Sequence, residues 1–276
     1  MMTRMSADSP TLRIVEIDEE ATLAFEVFGV GIAVSANDPM LLARVQEILP
    51  PGAQRCRRDS VRHHFRIHAK DDGRFDLQFE EHLLTWDATL DLALTMLDTH
   101  LQETVALHAP DHIFVHAGAV AHNGRGLLVP GESFSGKSTM TAALIRAGAT
   151  YYSDDFSPLD GDGRVHPYPK PLSIRARNLS TTNHAAENLG ATTGEGPLPV
   201  AAIIISRYVP GVEWRPRELS PSEATLAMLS NTVPAQDRPA ESLATIRRAV
   251  EGAVVFEGER GEAAPLASRL VSDILA

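Results

Sequence analysis

The chain has 276 residues, of which 43% are hydrophobic and 22% are charged, and its formal net charge is −11. This length and composition are those of a globular protein with one large core or two smaller ones, and the negative charge argues against unspecific binding to nucleic acid or to an anionic membrane. The single cysteine, Cys56, excludes a disulfide within the chain. Because the sequence shows neither an apolar signal segment nor a run long enough to span a bilayer, we expect a cytoplasmic protein.

Residues 1–110 are predicted to form a small α+β unit of unassigned role. Alternating apolar residues predict two strands that pair as a hairpin, with Gly73 of the connecting loop in the left-handed conformation. In this register His68 lies opposite Asp76. The basic stretch 55–70 (RCRRDSVRHHFRIHAK) then has two interpretations. It is either a contact surface for a peptide or nucleic acid or, as we prefer, the solvated outer face of the hairpin.

A long helix closes this first unit. Leucine and valine residues recur at intervals of three and four from Leu90 to Val105, which is the period of a helix with one buried face. Asp87 is predicted to cap the first turn. Pro110 is expected to end the helix, because proline cannot continue it.

From residue 111 to residue 276 strands alternate with helices, which predicts an α/β unit with a mixed sheet. Strands are expected near 113–115, 127–129, 149–153, 200–205 and 253–257, and helices near 137–147, 221–230, 238–250 and 264–275. The strand that ends at Val129 leads directly into the strongest functional motif of the chain.

That motif is PGESFSGKSTM, residues 130–140, in which Gly131, Gly136, Lys137 and Ser138 fill the pattern G-x-x-x-x-G-K-[ST]. It lies between a predicted strand and a predicted helix, so backbone N–H groups and the positive end of the helix can surround an anion. We therefore predict an ATP or GTP site in which Lys137 reaches the β- and γ-phosphates and the Ser138 hydroxyl ligates Mg²⁺. The expected nucleotide contacts are Gly131, Glu132, Ser133, Phe134, Ser135, Gly136, Lys137, Ser138 and Thr139.

Two adjacent acids, Asp154 and Asp155, follow the next predicted strand. In phosphate-loop proteins an acid at the end of a neighbouring strand holds Mg²⁺, and a second acid can accept a proton from a hydroxyl nucleophile. Because adjacent strand residues point to opposite faces, the pair can divide these two tasks. The alternative is an Asp pair that opens a turn before residues 156–158.

His116 lies in a strand that precedes the glycine motif by one hairpin. A lone histidine in a strand is more often a packed core residue than a catalytic one. On its own, His116 is therefore only a candidate for a functional role.

Four segments together resemble a known family. HAGAV, PGESFSGKST, RAGATYYSDDFSPL and HPYPKPLSIR follow one another in the order and spacing of the catalytic domain of the HPr kinase/phosphorylase family, whose relatives include serine kinases of lasso-peptide clusters. The resemblance covers residues 112–260 and implies a P-loop fold that is distantly shared with ATP-dependent phosphoenolpyruvate carboxykinase. It also implies an ATP-dependent serine kinase, in which Asp154 is the catalytic base, Asp155 and Ser138 hold the metal, and Lys137 and His116 complete the active site.

Two positions depart from that family's pattern. Its bifunctional members carry a Glu-Ile-Arg-Gly signature where this chain has Ser173, and Thr139 stands where an acid would follow the loop serine. The departures favour a kinase without phosphorylase activity, whose seryl acceptor is a peptide, a protein or a small molecule. Lys170 and Arg175 have two interpretations, binding of the transferred phosphate or ordinary exposure to solvent. Arg207, which follows the strand near 200–205, is a candidate for contact with the nucleotide at the C-terminal edge of the sheet.

Two other functions stay open at this point. One is a nucleotide-dependent switch or scaffold that hydrolyses ATP slowly, and the other is carboxykinase-like chemistry on a small carboxylic acid. Transfer of labelled phosphate to a seryl acceptor, compared with simple release of phosphate, separates a kinase from a switch. A carboxykinase requires an arginine-lined carboxylate site, which the sequence does not show. The sequence predicts neither a nucleic-acid partner nor a membrane partner, and a homo-oligomer stays open.

Overall fold

The computed structural model of the protein describes residues 21–132, 135–175, 181–184 and 186–273. Within these residues the chain has a mixed α/β fold with two large β-sheets, and each sheet contains both parallel and antiparallel neighbours. None of the described helices is long and apolar enough to cross a membrane.

The first sheet and its helices precede residue 110. The elements are β1 (Ala21–Val27), β2 (Val30–Ala36), α1 (Pro39–Gln46), β3 (Gln54–Arg55), β4 (His63–Ala69), β5 (Phe75–Phe79), β6 (His82–Ala88) and α2 (Leu90–His108). The described strands lie in the order β3-β1-β2-β4-β5-β6. β2 and β4 are parallel, since the chain crosses back between them through α1, and the other neighbours are antiparallel.

The hairpin of β4 and β5 has the predicted register. His68 lies opposite Asp76, and Gly73 in the loop has a φ of 78°, which glycine adopts without a steric penalty. Part of the positive charge of the basic stretch 55–70 is neutralised within the sheet, because the Lys70 ammonium lies 2.9 Å from a carboxylate oxygen of Asp76. The predicted hairpin is therefore confirmed.

Helix α2 covers one face of this sheet. Its buried apolar residues pack in one hydrophobic core with strand residues, and the core includes Leu94, Leu97, Leu101, Val105, Phe25, Ile32 and Phe65. The predicted cap is wrong: the N-cap is Thr89, whose hydroxyl accepts a hydrogen bond from the N–H of Leu92 at 3.3 Å. Asp87 has a φ of 53° and places its carboxylate 3.2 Å from Lys70, so it serves an ion pair instead.

The second sheet and its helices follow residue 110. The elements are β7 (His112–His122), β8 (Arg125–Pro130), α3 (Lys137–Arg146), β9 (Thr150–Ser153), β10 (Phe156–Asp160), β11 (Leu172–Arg175), β12 (Thr181–His184), β13 (Val200–Tyr208), β14 (Arg217–Glu218), α4 (Pro221–Leu229), α5 (Pro239–Glu251), β15 (Val254–Arg260) and α6 (Ala263–Asp273). The described order is β10-β7-β8-β13-β15-β14, β9 also pairs with β7, and β11 and β12 form a separate pair.

The strands β8, β13 and β15 are parallel. Their C-terminal ends therefore lie at one edge of the sheet, which is where ligands bind in open α/β sheets. β13 reaches Tyr208 and β15 reaches Arg260, so both strands extend past the predicted ends at residues 205 and 257. The extension of β15 brings Arg260 to the ligand-binding edge.

Strand β10 is not among the strands that the sequence predicts. It pairs antiparallel with the first half of β7, with Phe156 opposite His116. Pro158 lies in the middle of β10, and proline is tolerated in a strand that is outermost in its sheet. The two acids Asp154 and Asp155 consequently lie between two consecutive strands, not at the start of a free loop.

Aromatic and polar contacts join the two sheets. The ring centroid of Phe28 lies 5.3 Å from that of Phe114 and 5.7 Å from that of Tyr168. The Arg238 guanidinium donates a hydrogen bond of 2.6 Å to the carbonyl of Ala109. Packing therefore continues across residue 110, and the division into units 1–110 and 111–276 stays a prediction.

Candidate active site

The glycine loop, residues 131–139, follows the end of β8 and includes the first three residues of α3. Gly136 is the N-cap of α3 with a φ of 89°, and its carbonyl accepts a hydrogen bond from the N–H of Met140 at 3.0 Å. The first N–H groups of a helix have no partner within the helix and carry the positive end of its dipole. This backbone geometry suits an anion. Of the expected nucleotide contacts, Ser133 and Phe134 lie outside the described residues.

Lys137 is buried, with 7% of its surface exposed. Its ammonium donates hydrogen bonds to the carbonyls of Gly131 at 2.7 Å and Glu132 at 2.9 Å, and it lies 3.9 Å from a carboxylate oxygen of Asp155. Burial lowers the pKa of Lys137, while Asp155, Asp154 and Glu132 raise it. The lysine therefore lies under the glycine loop and faces the acid pair.

The acid pair occupies the break between β9 and β10, which both lie along β7. The carbonyl of Asp155 accepts a hydrogen bond from the N–H of Ala117 at 3.2 Å, so the backbone of the pair is fixed to β7. Asp154 is 3% exposed, whereas the side chain of Asp155 is 57% exposed. One acid is thus directed into the protein and the other towards solvent.

Asp154 contacts the glycine loop and the segment around Ser173. Burial raises its pKa from 3.8 to about 6, and hydrogen bonds from the Ser138 side chain and the Ser173 backbone act in the opposite direction. The N–H of Ser173 lies 3.3 Å from Oδ2 of Asp154. The family resemblance implies that Ser138 and Asp155 hold the metal together, and this role stays a prediction. In the structure the Ser138 side chain lowers the pKa of the other acid, Asp154.

His116 lies in β7 beside the same acids. Its ring centroid is 4.7 Å from that of Phe156, and its carbonyl accepts a hydrogen bond from the N–H of Gly131 at 3.2 Å. Burial lowers the pKa of His116, Asp155 raises it and Lys137 lowers it. The structure therefore brings His116 to the glycine loop and the acid pair.

The residues around Asp154 fit a magnesium ion. Oδ1 of Asp154 is buried and has no hydrogen-bond partner among the described residues. No group of three or more His, Cys, Asp or Glu side chains in the described ranges is placed to hold a metal by itself. Mg²⁺ needs no such group, since it is commonly held by one or two carboxylates together with phosphate oxygens and water.

Comparison with solved structures gives a weak likeness. No protein-family model matches the sequence, and no curated protein matches it. The solved structure of the Hpr(Ser) kinase/phosphatase from Coxiella burnetii is similar over 58% of this chain and 94% of its own chain, at 16% sequence identity and a TM-score of 0.35. A TM-score this low carries no argument about function. The function must therefore be inferred from the site itself.

Two of the three cations left open by the sequence, Lys170 and Arg207, form ion pairs with residues outside the described site. Lys170 forms an ion pair of 2.9 Å with Asp98 of α2. The side chain of Arg207 is 76% exposed and pairs with Glu259 of the neighbouring strand. The side chain of Arg175 lies outside the described residues.

A different arginine, Arg260, lies at the site and was missed by sequence reasoning. Its guanidinium donates a hydrogen bond of 3.0 Å to the carbonyl of Gly136 in the glycine loop. The signal that could have found it is the parallel order of β8, β13 and β15, which places the last residue of β15 beside the loop that follows β8.

Proposed function

We propose that the protein is an ATP-dependent kinase that transfers the γ-phosphoryl group to a seryl hydroxyl of a peptide, a protein or a small molecule. The observation that carries this proposal is the convergence of the glycine loop with two acids: Lys137 lies 3.9 Å from Asp155, and the Ser138 side chain lowers the pKa of Asp154. A nucleotide site with an exposed carboxylate beside it has a group that can accept the proton of an incoming hydroxyl.

Lys137 would bind the phosphates. Its ammonium is held by the carbonyls of Gly131 and Glu132, which are neutral acceptors. Charged phosphate oxygens are stronger acceptors, so Lys137 can exchange these bonds for bonds to the β- and γ-phosphates. A fixed ammonium in a buried position stabilises the charge on a transferring phosphoryl group without reorganisation.

The Ser138 hydroxyl and Asp154 would hold Mg²⁺, because Oδ1 of Asp154 is buried without a partner among the described residues. When bound, the ion would neutralise charge on the phosphate oxygens. An adjacent cation also favours the charged form of a buried carboxylate. Binding of the ion would therefore lower the pKa of Asp154, which burial raises in the free protein.

We assign the role of the base, which deprotonates the acceptor hydroxyl, to Asp155. A base must come within hydrogen-bond reach of the hydroxyl that it deprotonates, and the exposed side chain of Asp155 meets this condition, whereas Asp154 is buried against Ser138. This assignment exchanges the roles that the family resemblance implies for the two acids. His116 is placed to influence Asp155, since the two groups interact electrostatically.

The test separates nucleotide binding, metal binding and transfer. Affinity for a fluorescent ATP analogue is measured with and without Mg²⁺ for the wild type, Asp154→Asn and Asp155→Asn, with Lys137→Met as the variant expected to lose binding. Transfer of γ-labelled phosphate to a library of serine peptides is then compared with release of inorganic phosphate. We expect Asp154→Asn to lose the gain in affinity that Mg²⁺ gives. Asp155→Asn should keep that gain while transfer falls by about 10²- to 10⁴-fold.

Each outcome decides between the alternatives. Undiminished transfer by Asp155→Asn together with an intact Mg²⁺ response in Asp154→Asn would restore the roles that the family resemblance implies. Release of phosphate without transfer to any acceptor would favour the nucleotide-dependent switch. Absence of ATP binding in the wild type would refute the kinase proposal.

A further inference from the structure

Arg260, at the end of β15, is a buried cation beside the glycine loop. It is 2% exposed and has the largest fully buried side chain among the described residues. Its guanidinium donates hydrogen bonds to the carbonyl of Gly136 at 3.0 Å, to the carbonyl of Gly261 at 3.1 Å and to the hydroxyl of Ser206 at 3.3 Å. All three acceptors are neutral.

A buried charge with only neutral acceptors is costly, and buried arginines are usually paired with an acid. In the described part of the chain no carboxylate forms an ion pair with Arg260, although Glu262 acts on it electrostatically. The guanidinium stays charged, because arginine does not lose its proton in proteins. The guanidinium also lies 5.6 Å from the ring centroid of Tyr208. The structure therefore keeps a buried positive charge, without an ion pair among the described residues, next to the loop that is shaped for an anion.

The space that Arg260 occupies is available because residue 136 is a glycine. A Cβ atom added to Gly136 would lie 2.6 Å from Nη2 of Arg260, and Gly136 also has a φ of 89°. The glycine of the motif thus gives the guanidinium the room to reach the backbone carbonyl. This contact links the end of the third parallel strand to the first turn of α3.

We propose that Arg260 is a positioning residue of the nucleotide site. It fixes the carbonyl of Gly136 and thereby the loop, and it adds a buried positive charge that favours nucleotides with several phosphates. The ligand class is a nucleoside triphosphate, so the inference rests on the proposed function. Arg260 acts on the phosphates through the loop and through its field, and no direct contact with them is required.

The experiment measures the ratio of the affinities for ATP and AMP, using fluorescent analogues and the full chain. A variant that only destabilises the fold lowers the amount of folded protein, but it leaves the ratio of the two affinities unchanged. We expect Arg260→Gln to reduce the ratio about ten- to hundredfold, because the variant removes the buried positive charge that favours the more highly charged nucleotide. Arg260→Lys should recover part of it, because lysine keeps the charge but not the planar fork. Arg207→Gln, an exposed arginine on the adjacent strand, is the matched control and should keep the wild-type ratio.

A wild-type ratio in Arg260→Gln, with ATP binding intact in the wild type, would overturn the inference and leave the proposed function in place. If Arg260→Gln does not fold, the ratio is measured for Arg260→Met, which removes the charge and keeps an unbranched side chain, and a wild-type ratio there overturns the inference in the same way. Failure of the wild type to bind ATP would refute the nucleotide site, and the inference with it.

Discussion

The variant Asp154→Asn is expected to stabilise the protein in a way that depends on pH. Asp154 is 3% exposed, and burial raises its pKa from 3.8 to about 6. Because the pKa is higher in the folded state than in the unfolded state, the folded state binds more protons between these values. Stability therefore falls as the pH rises from about 4 to about 6, and the loss stays constant above that window.

The size of this loss follows from the shift. About two pKa units correspond to about 3 kcal/mol of unfolding free energy. Asparagine does not ionise, and its carbonyl can still accept a hydrogen bond from Ser138 or from the N–H of Ser173. The variant should thus be more stable than the wild type by about 3 kcal/mol at pH 8 and by about half of that at pH 5, where the carboxyl is mostly protonated in the folded state.

Urea unfolding at pH 5, 6, 7 and 8 in the presence of a chelator measures this difference. Asp71→Asn, in the exposed loop of the β4–β5 hairpin, is the matched control and should stay within about 0.5 kcal/mol of the wild type at each pH. A difference between Asp154→Asn and the wild type that is equal at pH 5 and pH 8 would refute the argument. It would show that the carboxyl of Asp154 titrates in the folded state as it does in the unfolded chain.

Three further predictions concern the glycine loop and the contacts between the sheets, and urea unfolding measures each of them. Gly136→Ala should cost about 1–3 kcal/mol, because alanine is strained at a φ of 89° and its Cβ would contact a buried guanidinium. Gly161→Ala, with open space around its Cα, should cost less than about 0.5 kcal/mol. Tyr168→Phe should cost about 1–3 kcal/mol, since it leaves buried Gln102 without its hydroxyl donor. Lys170→Met should lose at most about 1 kcal/mol and leave ATP affinity unchanged, and a weaker affinity would return Lys170 to the nucleotide site.

The elements that were predicted correctly are those whose structure depends on residues close together in sequence. The β4–β5 hairpin was predictable because strand alternation and a left-handed loop glycine fix a register over a few residues. The glycine loop was predictable for a similar reason, as its motif and the helix after it are contiguous in the chain. In both cases the residues that determine the structure are neighbours in sequence.

The errors arose where distant residues decide the structure. Asp87 has the side chain of a good cap, but a lysine across the hairpin binds its carboxylate and the chain caps the helix two residues later with Thr89. Strand β10 was not predicted. It contains Pro158, and a strand tolerates proline at this position because β10 lies at the edge of its sheet. Arg260 was missed because its partner, Gly136, is 124 residues away in sequence.

The burial of Asp154 has opposite consequences for the free protein and for a metal complex. In the free protein the buried carboxylate lowers stability above pH 6, by about 3 kcal/mol. A cation beside the carboxylate favours its charged form and lowers its pKa, so binding of Mg²⁺ with a nucleotide would recover much of that cost. Active sites commonly retain such a destabilised group because function requires it. The stabilisation by Mg²⁺ and nucleotide at pH 8 should therefore be larger in the wild type than in Asp154→Asn, although the variant is the more stable protein without them.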